Sequence, residues 1–595
     1  MNIDKHELDW WASGDTPVHR GDTQVSYFID GCSTMFAQCC AFLKARSTIY
    51  LANWGMTADL ELVRGKEHRA APDGSPEQEA LLNLLRAEGL QEDEIAFWCT
   101  HQLTVQEVLG YAVSRGVDVK VLLWHSLPLP SYSHYYPKAT RDALSEVGVA
   151  CLLDNSARGL LHHPAASLHQ KLSVVDSKWA FVGGIDPMVE KNQDFDRWDT
   201  SAHLFLTPLR QTAVGTTPHP WHDAHALIEG PAVADVEYNF RQRWNAVAKR
   251  YLHWQILPAR RRYYHQLSLS PHDPPQAVKG TDVVQIARTI PKHTYHFQPS
   301  VVRDIAQIYR KAIRNAQHFI YLENQYLWVR AYTGIDIPFL GKDSPEMELV
   351  LREIIAALQR GVSVAIVLPD HPAPGRAFSD ASIARIRQEA PEAVAAGRFQ
   401  SFCLGTSSLD QAEGTRYRPI YLHAKVAIID DLWVTVGSAN LNNRGLRDDV
   451  EINVATLDEG LARSLRLRLW AEHLGLLTAD ELFALNIYLR HQPLQIQQPV
   501  SVARILQNIW GSLQNGPEKQ SLQQQETLNT WQEVQQILHD PLHGIQLLSQ
   551  SAGENLAAYK TRQPLVGHLL PYLLGDEAHQ QGLNFREEHG WLEEE

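Results

Sequence analysis

Residues 169–176 read His169-Gln170-Lys171-Leu172-Ser173-Val174-Val175-Asp176, and residues 423–430 repeat the pattern as His423-Ala424-Lys425-Val426-Ala427-Ile428-Ile429-Asp430. In both copies a Trp lies ten residues after the His, and a Gly lies fourteen residues after it. A lone HxKxxxxD match arises by chance in about one chain of this length in ten, so two matches with equal offsets indicate a duplicated unit. Because side chains alternate along a strand, each His and its Lys should share one face, and each Asp should lie in the following turn.

Two further pairs of segments match in the same order along the chain. Residues 49–54 (IYLANW) resemble residues 320–325 (IYLENQ), and residues 115–122 (RGVDVKVL) resemble residues 360–367 (RGVSVAIV). The first pair follows stretches with helical spacing, and in the second pair a Gly ends a helix before a β-branched strand. The repeated helix-to-strand steps predict an α/β fold with two similar lobes, in which helices flank mixed sheets and the active site lies between the lobes.

Composition predicts where the lobes end. The stretch 271–280 holds three Pro and one Gly, which is typical of a linker between domains. We therefore predict an amino-terminal lobe over residues 1–270 and a carboxy-terminal lobe over 281–485. Residues 486–595 are predicted to form a helical extension, because the Gln-rich stretch 514–536 has periodic Leu, Ile and Trp. No chemistry is assigned to the extension.

The charge balance argues against nucleic acid as a partner. The 595 residues include 54 Lys and Arg against 68 Asp and Glu, a net charge of −14, which opposes sequence-independent binding to a phosphate polyanion. The six Cys are scattered without a CxxC pair or metal-ligand spacing. We predict no nucleic-acid partner, no metal ligands and no cofactor.

The amino terminus predicts no export signal, because residues 1–7 are polar and lack the apolar run that a secretory signal needs. The longest apolar runs, such as 362–368, are shorter than the roughly 18 residues that cross a bilayer. A protein that is cytoplasmic as synthesised, without a transmembrane segment, is therefore expected. Two pairs of residues could make other contacts. Trp10-Trp11 could contact a membrane, although most aromatic residues are expected in the core, and His162-His163 could ligate a metal, although a loop is the better interpretation.

The two motifs together predict a chemistry. One imidazole and one ammonium group from each lobe would point into a shared cleft. Phosphodiester transfer needs a nucleophile, an acid for the leaving oxygen and cations for the nonbridging oxygens, and these four side chains supply them without a metal ion. The alternative is that the histidines are buried structural residues capped by carboxylates, which fits a single copy better than two copies in register.

At this point the chain resembles the phospholipase D superfamily, whose members place two HxKxxxxD motifs at the interface of two similar α/β lobes. Other segments are similar to eukaryotic-type phospholipases D over about residues 25–475. These segments are 181–186 (FVGGID), 197–199 (RWD), 221–223 (WHD), 230–232 (GPA), 240–245 (FRQRWN), 321–326 (YLENQY), 437–442 (GSANLN) and 449–453 (DVEIN).

The resemblance implies a role for each motif residue. His169 would be the nucleophile that forms a phosphohistidine, and His423 the acid that protonates the departing headgroup and then activates water or alcohol. Lys171 and Lys425 would hold the phosphate oxygens.

Further residues take supporting roles by the same resemblance. Asn440 and Ser438 would donate hydrogen bonds to the phosphate, and the family's carboxylates that orient each His match Asp199 and Glu451, 30 and 28 residues after their histidines. Asp186 stands where the second copy has Asn440, a departure shared with the eukaryotic type. Asp176 and Asp430 belong to the catalytic motif, but their turn position favours a structural role.

The activity that the resemblance implies is hydrolysis of membrane glycerophospholipids of the phosphatidylethanolamine and phosphatidylcholine class to phosphatidate, with transphosphatidylation. Alternatives are a phosphatidyltransferase similar to cardiolipin synthase, a phosphodiesterase acting on DNA, and a non-catalytic binding protein. Short bacterial proteins of this type include antibacterial effectors delivered by type VI secretion to a target-cell periplasm. The expected partners are therefore a phospholipid membrane, a secretion apparatus and a cognate immunity protein.

Overall fold

A computed structural model gives the architecture of most of the chain. It describes residues 9–14, 16–65, 68–69, 75–125, 136–155, 167–190, 195–212, 217–253, 258–270, 277–292, 294–298, 300–330, 344–372, 375–410, 414–488, 490 and 531–592. Residues 271–276 of the predicted linker, His162-His163 and most of the Gln-rich stretch lie outside the described residues.

The amino-terminal half alternates strands with helices. Its strands are β1 (Val18–Ile29), β2 (Thr48–Asn53), β3 (Asp118–Trp124), β4 (Ala150–Asp154), β5 (Leu172–Val175), β6 (Trp179–Gly183), β7 (Trp221–His222) and β8 (Ala224–Glu229). Its helices are α1 (Asp30–Lys44), α2 (Pro76–Ala87), α3 (Glu92–Thr100), α4 (Val105–Ser114), α5 (Pro137–Glu146), α6 (Val233–His253) and α7 (Pro258–Gln266).

The carboxy-terminal half follows the same scheme and continues into the extension. Its strands are β9 (Asp282–Ile290), β10 (Val302–Arg303), β11 (Phe319–Asn324), β12 (Ser363–Val367), β13 (Phe399–Asp410), β14 (Gly414–Pro419), β15 (Tyr421–Leu422), β16 (Lys425–Ile429), β17 (Trp433–Gly437), β18 (Glu451–Leu457) and β19 (Leu569–Pro571). Its helices are α8 (Asp304–Asn315), α9 (Pro345–Gln359), α10 (Arg376–Glu389), α11 (Pro391–Ala395), α12 (Glu459–His473), α13 (Ala479–Tyr488), α14 (Pro541–Lys560) and α15 (Gly575–Gln580), with a π-helical turn at Arg444–Asp448.

The two halves have the same sheet order. In the first half β2, β3 and β4 are parallel neighbours, and β5, β6, β8 and β1 extend the sheet from β2 by antiparallel pairs. In the second half β11, β12 and β13 are parallel, and β16, β17, β18 and β9 extend the sheet from β11 by antiparallel pairs. The amino-terminal half of β1 also pairs with β9, which joins the two sheets. The predicted mixed α/β architecture is confirmed.

The repeated Arg-Gly pair makes the same helix-to-strand step in both halves. After α4, Gly116 has φ of 85°, and the Val117 N–H donates to Ala112 O at 3.1 Å. After α9, Gly361 has φ of 99°, and the Val362 N–H donates to Ala357 O at 3.0 Å. Glycine adopts this left-handed conformation without the steric cost of a Cβ, so both helices end at the same point before a parallel strand.

Three apolar cores separate the layers. Helices α1 and α4 cover one face of the first sheet, and helices α8 and α9 cover one face of the second sheet. A third core lies on the other faces of both sheets and contains α6 and α12. Among the described residues, no helix has the length and apolar composition needed to cross a membrane.

The amino-terminal segment packs against the second half of the chain. Trp10 is 1% exposed and lies in the core beside α8, so the suggested membrane contact of Trp10-Trp11 is wrong. The Ala12 N–H donates to Gln285 Oε1 at 2.9 Å, and the Gln285 amide donates back to Ala12 O at 3.0 Å. Lys311 also donates to Trp11 O. Side chains of the second half therefore hold the backbone of this segment in place, and composition alone does not indicate these contacts.

The described part of the extension is not purely helical. Its strand β19 pairs antiparallel with β13, and its helix α14 contacts α12. Near residue 592 the backbone N–H groups of Trp591 and Leu592 donate to Asp370 Oδ2, which forms a buried ion pair with Arg376. Because β19 supplies backbone partners to an open sheet edge, a short strand forms where periodicity predicted only helices.

Candidate active site

The two motif histidines lie side by side, and each is held by the backbone of the other half. Their ring centroids are 6.4 Å apart. The His169 N–H donates to Val450 O at 2.9 Å, just before β18, and the His423 N–H donates to His222 O at 2.8 Å, in β7. The fold therefore builds one site from both copies of the motif.

The surroundings of His169 fix which of its nitrogens carries the proton. Nδ1 lies 3.0 Å from Ser438 O and 3.0 Å from Glu451 Oε1. Since a carbonyl oxygen only accepts hydrogen bonds, we assign the proton to Nδ1, which leaves the lone pair on Nε2. Burial, followed by the charges of Lys171 and Lys425, holds the pKa of His169 well below its usual range. His169 is thus a neutral imidazole with a free nucleophilic nitrogen.

The carboxylate beside His423 comes from the first half of the chain. Asp223 Oδ2 lies 2.7 Å from His423 Nδ1. Burial raises the pKa of Asp223 to about 7, while burial and the charge of Lys425 hold the pKa of His423 well below its usual range. The Asp223–His423 pair can therefore take up one proton near neutral pH and deliver it to a leaving oxygen.

The structure places Asp199 away from both motif histidines. Its carboxylate accepts hydrogen bonds from Arg210 at 3.0 Å and from the Trp221 N–H at 2.9 Å, and lies 3.3 Å from His203 Nδ1. Sheet register explains why Asp199 does not take the place that the family resemblance gave it. In the second sheet, Asn453 pairs with Gly437 on the neighbouring strand, and Glu451 lies two residues before Asn453. In the first sheet, His225 pairs with Gly183 in the same way, and Asp223 lies two residues before His225.

Asp223 and Glu451 are therefore equivalent in the two sheets, although Asp223 is 54 residues after its motif histidine and Glu451 is 28. Sequence reasoning singled out the Trp-His-Asp segment at residues 221–223 but gave it no role. The pairings are also crossed, because each carboxylate serves the histidine of the other copy.

The two lysines have unequal surroundings. Lys171 Nζ donates to His169 O at 2.8 Å and forms an ion pair with Asp186 at 3.0 Å. Lys425 Nζ donates to His423 O and to Gln325 Oε1, and burial lowers the pKa of Lys425 to about 7. Asp186, which stands where the second copy has Asn440, thus gives Lys171 a carboxylate partner, whereas Lys425 contacts the amide of Gln325.

Ser438 and Asn440 take different parts in the site. The Ser438 hydroxyl donates to Glu451 Oε2 at 2.5 Å, so it holds the carboxylate that faces His169. Asn440 Nδ2 donates to Gln325 Oε1 at 3.2 Å, next to Lys425. Of these two residues, Asn440 is the one that contacts the same Gln325 oxygen as a motif lysine.

Two residues at equivalent repeat positions were missed. Trp54 ends the first IYLANW segment and Gln325 ends the matching IYLENQ segment. The Trp54 ring lies 5.6 Å from Lys171 Nζ and 6.1 Å from the His169 ring, and Gln325 contacts Lys425. Their shared position at the end of a repeated strand, beside each motif lysine, is the signal that identifies them.

Asp176 and Asp430 lie at the far end of the motif strands, in turns with φ of 51° and 56°. Asp176 Oδ1 accepts from the Ser47 and Thr48 N–H groups at 2.7 and 3.0 Å. Asp430 Oδ1 accepts from the His318 and Phe319 N–H groups, both at 2.8 Å. Each carboxylate therefore fixes the start of the neighbouring strand, β2 or β11, and neither is brought to the histidines.

A buried cluster beside β7 offers a candidate metal centre. Ligand atoms of Asp30, His203, His222 and Glu472 all lie within 4.8 Å of one another. His203 Nε2 is 2.7 Å from Glu472 Oε1, and His222 Nδ1 is 3.1 Å from both Asp30 Oδ1 and Glu472 Oε1. Such a set of two imidazoles and two carboxylates suits a divalent cation.

The second ring nitrogen of each imidazole in this cluster also faces a carboxylate. His203 Nδ1 faces Asp199, and His222 Nε2 faces Glu323. The sequence predicted no metal ligands because the four residues are spread over more than 440 positions and form no local motif.

Comparisons with known proteins connect this geometry to a family. A family model described as phospholipase D matches residues 97–359, and one described as cardiolipin synthase, PLD-like domain, matches residues 309–471. Phospholipase D delta of Arabidopsis thaliana is 25% identical over 582 residues, covering 74% of this chain and 63% of that protein. Phospholipase D alpha 1 of Carica papaya is 25% identical over 584 residues, covering 79% and 66%.

The chain thus spans just under two thirds of the length of these relatives. Among solved structures, a phosphatidylserine synthase of Haemophilus influenzae Rd KW20 aligns with a TM-score of 0.44 and 12% identity, covering 76% of this chain and 86% of that one.

Proposed function

Since the chain belongs to the phospholipase D superfamily, we propose that it is a phosphodiesterase that cleaves membrane glycerophospholipids of the phosphatidylethanolamine and phosphatidylcholine class to phosphatidate and free headgroup. The observation that carries the proposal is the pair of imidazoles 6.4 Å apart, each tied at Nδ1 and each flanked by a buried lysine. A phosphodiester between the rings would meet a nucleophile, an acid and two cations at once.

The reaction proceeds in two displacements. His169 Nε2 attacks phosphorus, the bond from phosphorus to the headgroup oxygen breaks, and the protonated Asp223–His423 pair gives that oxygen its proton. The pair then takes a proton from water, whose oxygen attacks phosphorus and breaks the bond to His169, releasing phosphatidate. Lys171 and Lys425 stabilise the charge on the nonbridging oxygens in both steps.

Trapping the covalent intermediate tests the proposal. We expect His169→Ala and His423→Ala each to remove nearly all turnover of phosphatidylethanolamine, because the two residues act as one unit. With 32P-labelled phosphatidyl-p-nitrophenol, whose leaving group needs no acid, label should accumulate on the His423 variant and not on the His169 variant. Label only on the His169 variant would exchange the two roles, and label on neither would reject the covalent mechanism.

An alcohol acceptor should compete with water for the same intermediate. Adding ethanol should yield phosphatidylethanol. If phosphatidate is the sole product at high ethanol, alcohol does not react with the covalent intermediate. Phosphatidyl transfer between lipids is the second candidate function, supported by the match to the cardiolipin synthase model over residues 309–471. Phosphatidylglycerol as the acceptor, with cardiolipin measured by mass spectrometry, separates the two functions.

The proposed biological setting is an antibacterial effector carried by a type VI secretion apparatus to a target-cell periplasm and neutralised in the producer by an immunity protein. Its support is the resemblance of the sequence to short bacterial enzymes of this kind. The net charge of −14 favours a lipid over nucleic acid as the phosphodiester substrate. Expression fused to a periplasmic signal should be toxic and should depend on His169. Harmless periplasmic protein that remains active on vesicles would point to lipid remodelling instead.

A further inference from the structure

Gln170, the residue between the histidine and the lysine of the first motif, has a fully hydrogen-bonded side chain. It is buried, and its contacts lie with α6 and with the first residue of β18. Its amide nitrogen donates to Glu451 O at 3.0 Å and to Asn239 Oδ1 at 3.3 Å. Its amide oxygen accepts from Asn239 Nδ2 at 2.9 Å and from Arg243 Nη1 at 2.5 Å. Both donors and both lone pairs of this buried amide are therefore used.

The two partners of that amide on α6 are themselves held by other elements. Arg243 Nε donates to the Tyr295 hydroxyl at 3.1 Å, and that hydroxyl donates to Asp154 Oδ2 at 2.8 Å. Asn239 Oδ1 also accepts from Arg288 Nη1 at 3.3 Å, and Arg288 belongs to β9, the neighbour of β18. All five side chains are buried. Breaking any of these hydrogen bonds leaves a desolvated polar group, so both halves of the chain hold the amide in one position.

The hydrogen bond from Gln170 to Glu451 O extends a pairing between the first motif and the segment that leads into β18. The Val450 N–H donates to Ser167 O, and the His169 N–H donates to Val450 O, both at 2.9 Å. The side chain of Gln170 carries this pairing one residue further, to Glu451. It therefore holds the residue whose carboxylate faces His169 Nδ1 at 3.0 Å in register with the motif.

The second copy of the motif has no counterpart of this side chain. Its backbone pairing is similar, because the His423 N–H donates to His222 O at 2.8 Å, next to Asp223, whose carboxylate faces His423. The residue that matches Gln170 is Ala424, and its methyl group cannot donate a hydrogen bond. The additional hydrogen bond thus belongs to the copy whose histidine carries the free nucleophilic nitrogen.

We propose that Gln170 is a positioning residue, which holds Glu451 in register with the first motif and so aims Nε2 of His169 at phosphorus. The step rests on the proposed function, because it assumes that His169 is the nucleophile. Attack on phosphorus requires the reacting atoms to be aligned, and a displacement of about 1 Å can lower the rate about 100-fold. Since Gln170 does not contact the substrate in this role, its loss should lower kcat and leave KM unchanged.

The rate of phosphoenzyme formation tests the proposal. All proteins carry His423→Ala, and the substrate is 32P-labelled phosphatidyl-p-nitrophenol, whose leaving group needs no acid. One test variant is Gln170→Leu, which removes the whole amide. The other is Gln170→Glu, which keeps an oxygen for Arg243 and removes the N–H that donates to Glu451 O, and it tests the proposal even where the Leu variant does not fold. The control is Gln285→Leu, which removes another buried amide that is hydrogen-bonded to backbone.

We expect both Gln170 variants to form labelled enzyme about 10- to 100-fold more slowly than the His423→Ala parent, and Gln285→Leu to stay within about twofold of that parent. With His423 intact, kcat on phosphatidylethanolamine should fall by a similar factor at an unchanged KM. An equal loss in Gln285→Leu, a parental rate in Gln170→Glu, or a raised KM with unchanged kcat would overturn the proposal.

The labelling experiment also separates this proposal from the proposed function. Equal labelling rates in the parent, both Gln170 variants and the control would reject the positioning role and leave His169 supported as the nucleophile. No label on the His423→Ala parent would reject the covalent mechanism, and the positioning role with it.

Discussion

Glu451, from the second copy of the repeat, faces Nδ1 of His169, from the first copy, at 3.0 Å. Asp223, from the first copy, faces Nδ1 of His423, from the second, at 2.7 Å. Neither half of the chain therefore contains a complete histidine–carboxylate pair. Both pairs form only when the two sheets come together, so the catalytic site requires the contact between the halves.

The two carboxylates should differ in their importance. Glu451→Gln should lower kcat/KM by about tenfold, because Ser438 O still accepts the Nδ1 proton of His169. Asp223→Asn should lower kcat/KM by about 1000-fold or more, because among the described residues Asp223 is the one acceptor for His423 Nδ1. Steady-state hydrolysis of phosphatidylethanolamine measures both. Equal losses would show that Ser438 O does not substitute for Glu451.

The rate of phosphoenzyme formation should fall as the pH rises above 7. Burial raises the pKa of Asp223 to about 7, so the proton held by the Asp223–His423 pair is present below pH 7 and lost above it. Ethanolamine departs as an alcohol and needs that proton, whereas p-nitrophenolate does not. Burial also lowers the pKa of Lys425 to about 7, so both substrates should slow as that charge is lost above pH 7. Rapid-quench measurements between pH 6 and 9, at about one-unit steps, should therefore show a steeper fall for phosphatidylethanolamine than for the p-nitrophenol substrate. Equal falls for the two substrates would show that the Asp223–His423 pair does not supply the proton.

The turn aspartates should affect stability and not chemistry. Asp430→Ala should lower the free energy of unfolding by about 2–3 kcal/mol, because three backbone N–H groups lose their acceptor and Ala is strained at φ of 56°. Asp430→Asn should cost less than about 1 kcal/mol, since Asn tolerates this conformation and keeps an acceptor oxygen. Urea unfolding measures both. A large loss of kcat in the folded Asn variant would return Asp430 to the catalytic set.

Chelation should not stop the chemical step. Lys171 and Lys425 are the charges placed beside the two histidines, and they can stabilise the phosphate without a divalent ion. We expect the initial rate in excess EDTA to stay within about twofold of the untreated rate. If EDTA removes activity and added Ca²⁺ or Zn²⁺ restores it, the cluster of Asp30, His203, His222 and Glu472 is required. Glu472→Gln would then weaken the restoration.

The parts of the fold that repeat could be predicted from the sequence, because both copies keep the same strands and the same offsets. His169 and Lys171 directly precede β5, and Lys425 begins β16 two residues after His423, so the two-residue spacing still brings each Lys to its His. Asp199 was matched by resemblance to the family's orienting carboxylate, at a distance of 30 residues after His169 that is similar to the 28 residues between His423 and Glu451. That distance does not report sheet register, and Asp223 takes the equivalent place across β6 and β8.

Contacts between segments that are distant in the sequence could not be predicted from repeats or spacing. The cluster of Asp30, His203, His222 and Glu472 depends on four separate segments meeting under the site. The burial of Trp10 depends on Gln285, 275 residues away. Periodicity describes one element at a time, so it carries no information on which distant element supplies the partner.

The hydrogen bonds between Ala12 and Gln285 affect the order of folding during synthesis on the ribosome. The first lobe cannot secure its own amino-terminal segment until the translating ribosome has passed β9, more than 270 residues later. Its motif histidine cannot meet Glu451 until β18 has also emerged. Contacts of such long sequence separation form late in folding. A nascent chain, or one terminated before β18, therefore lacks the assembled pair of His169 and Glu451.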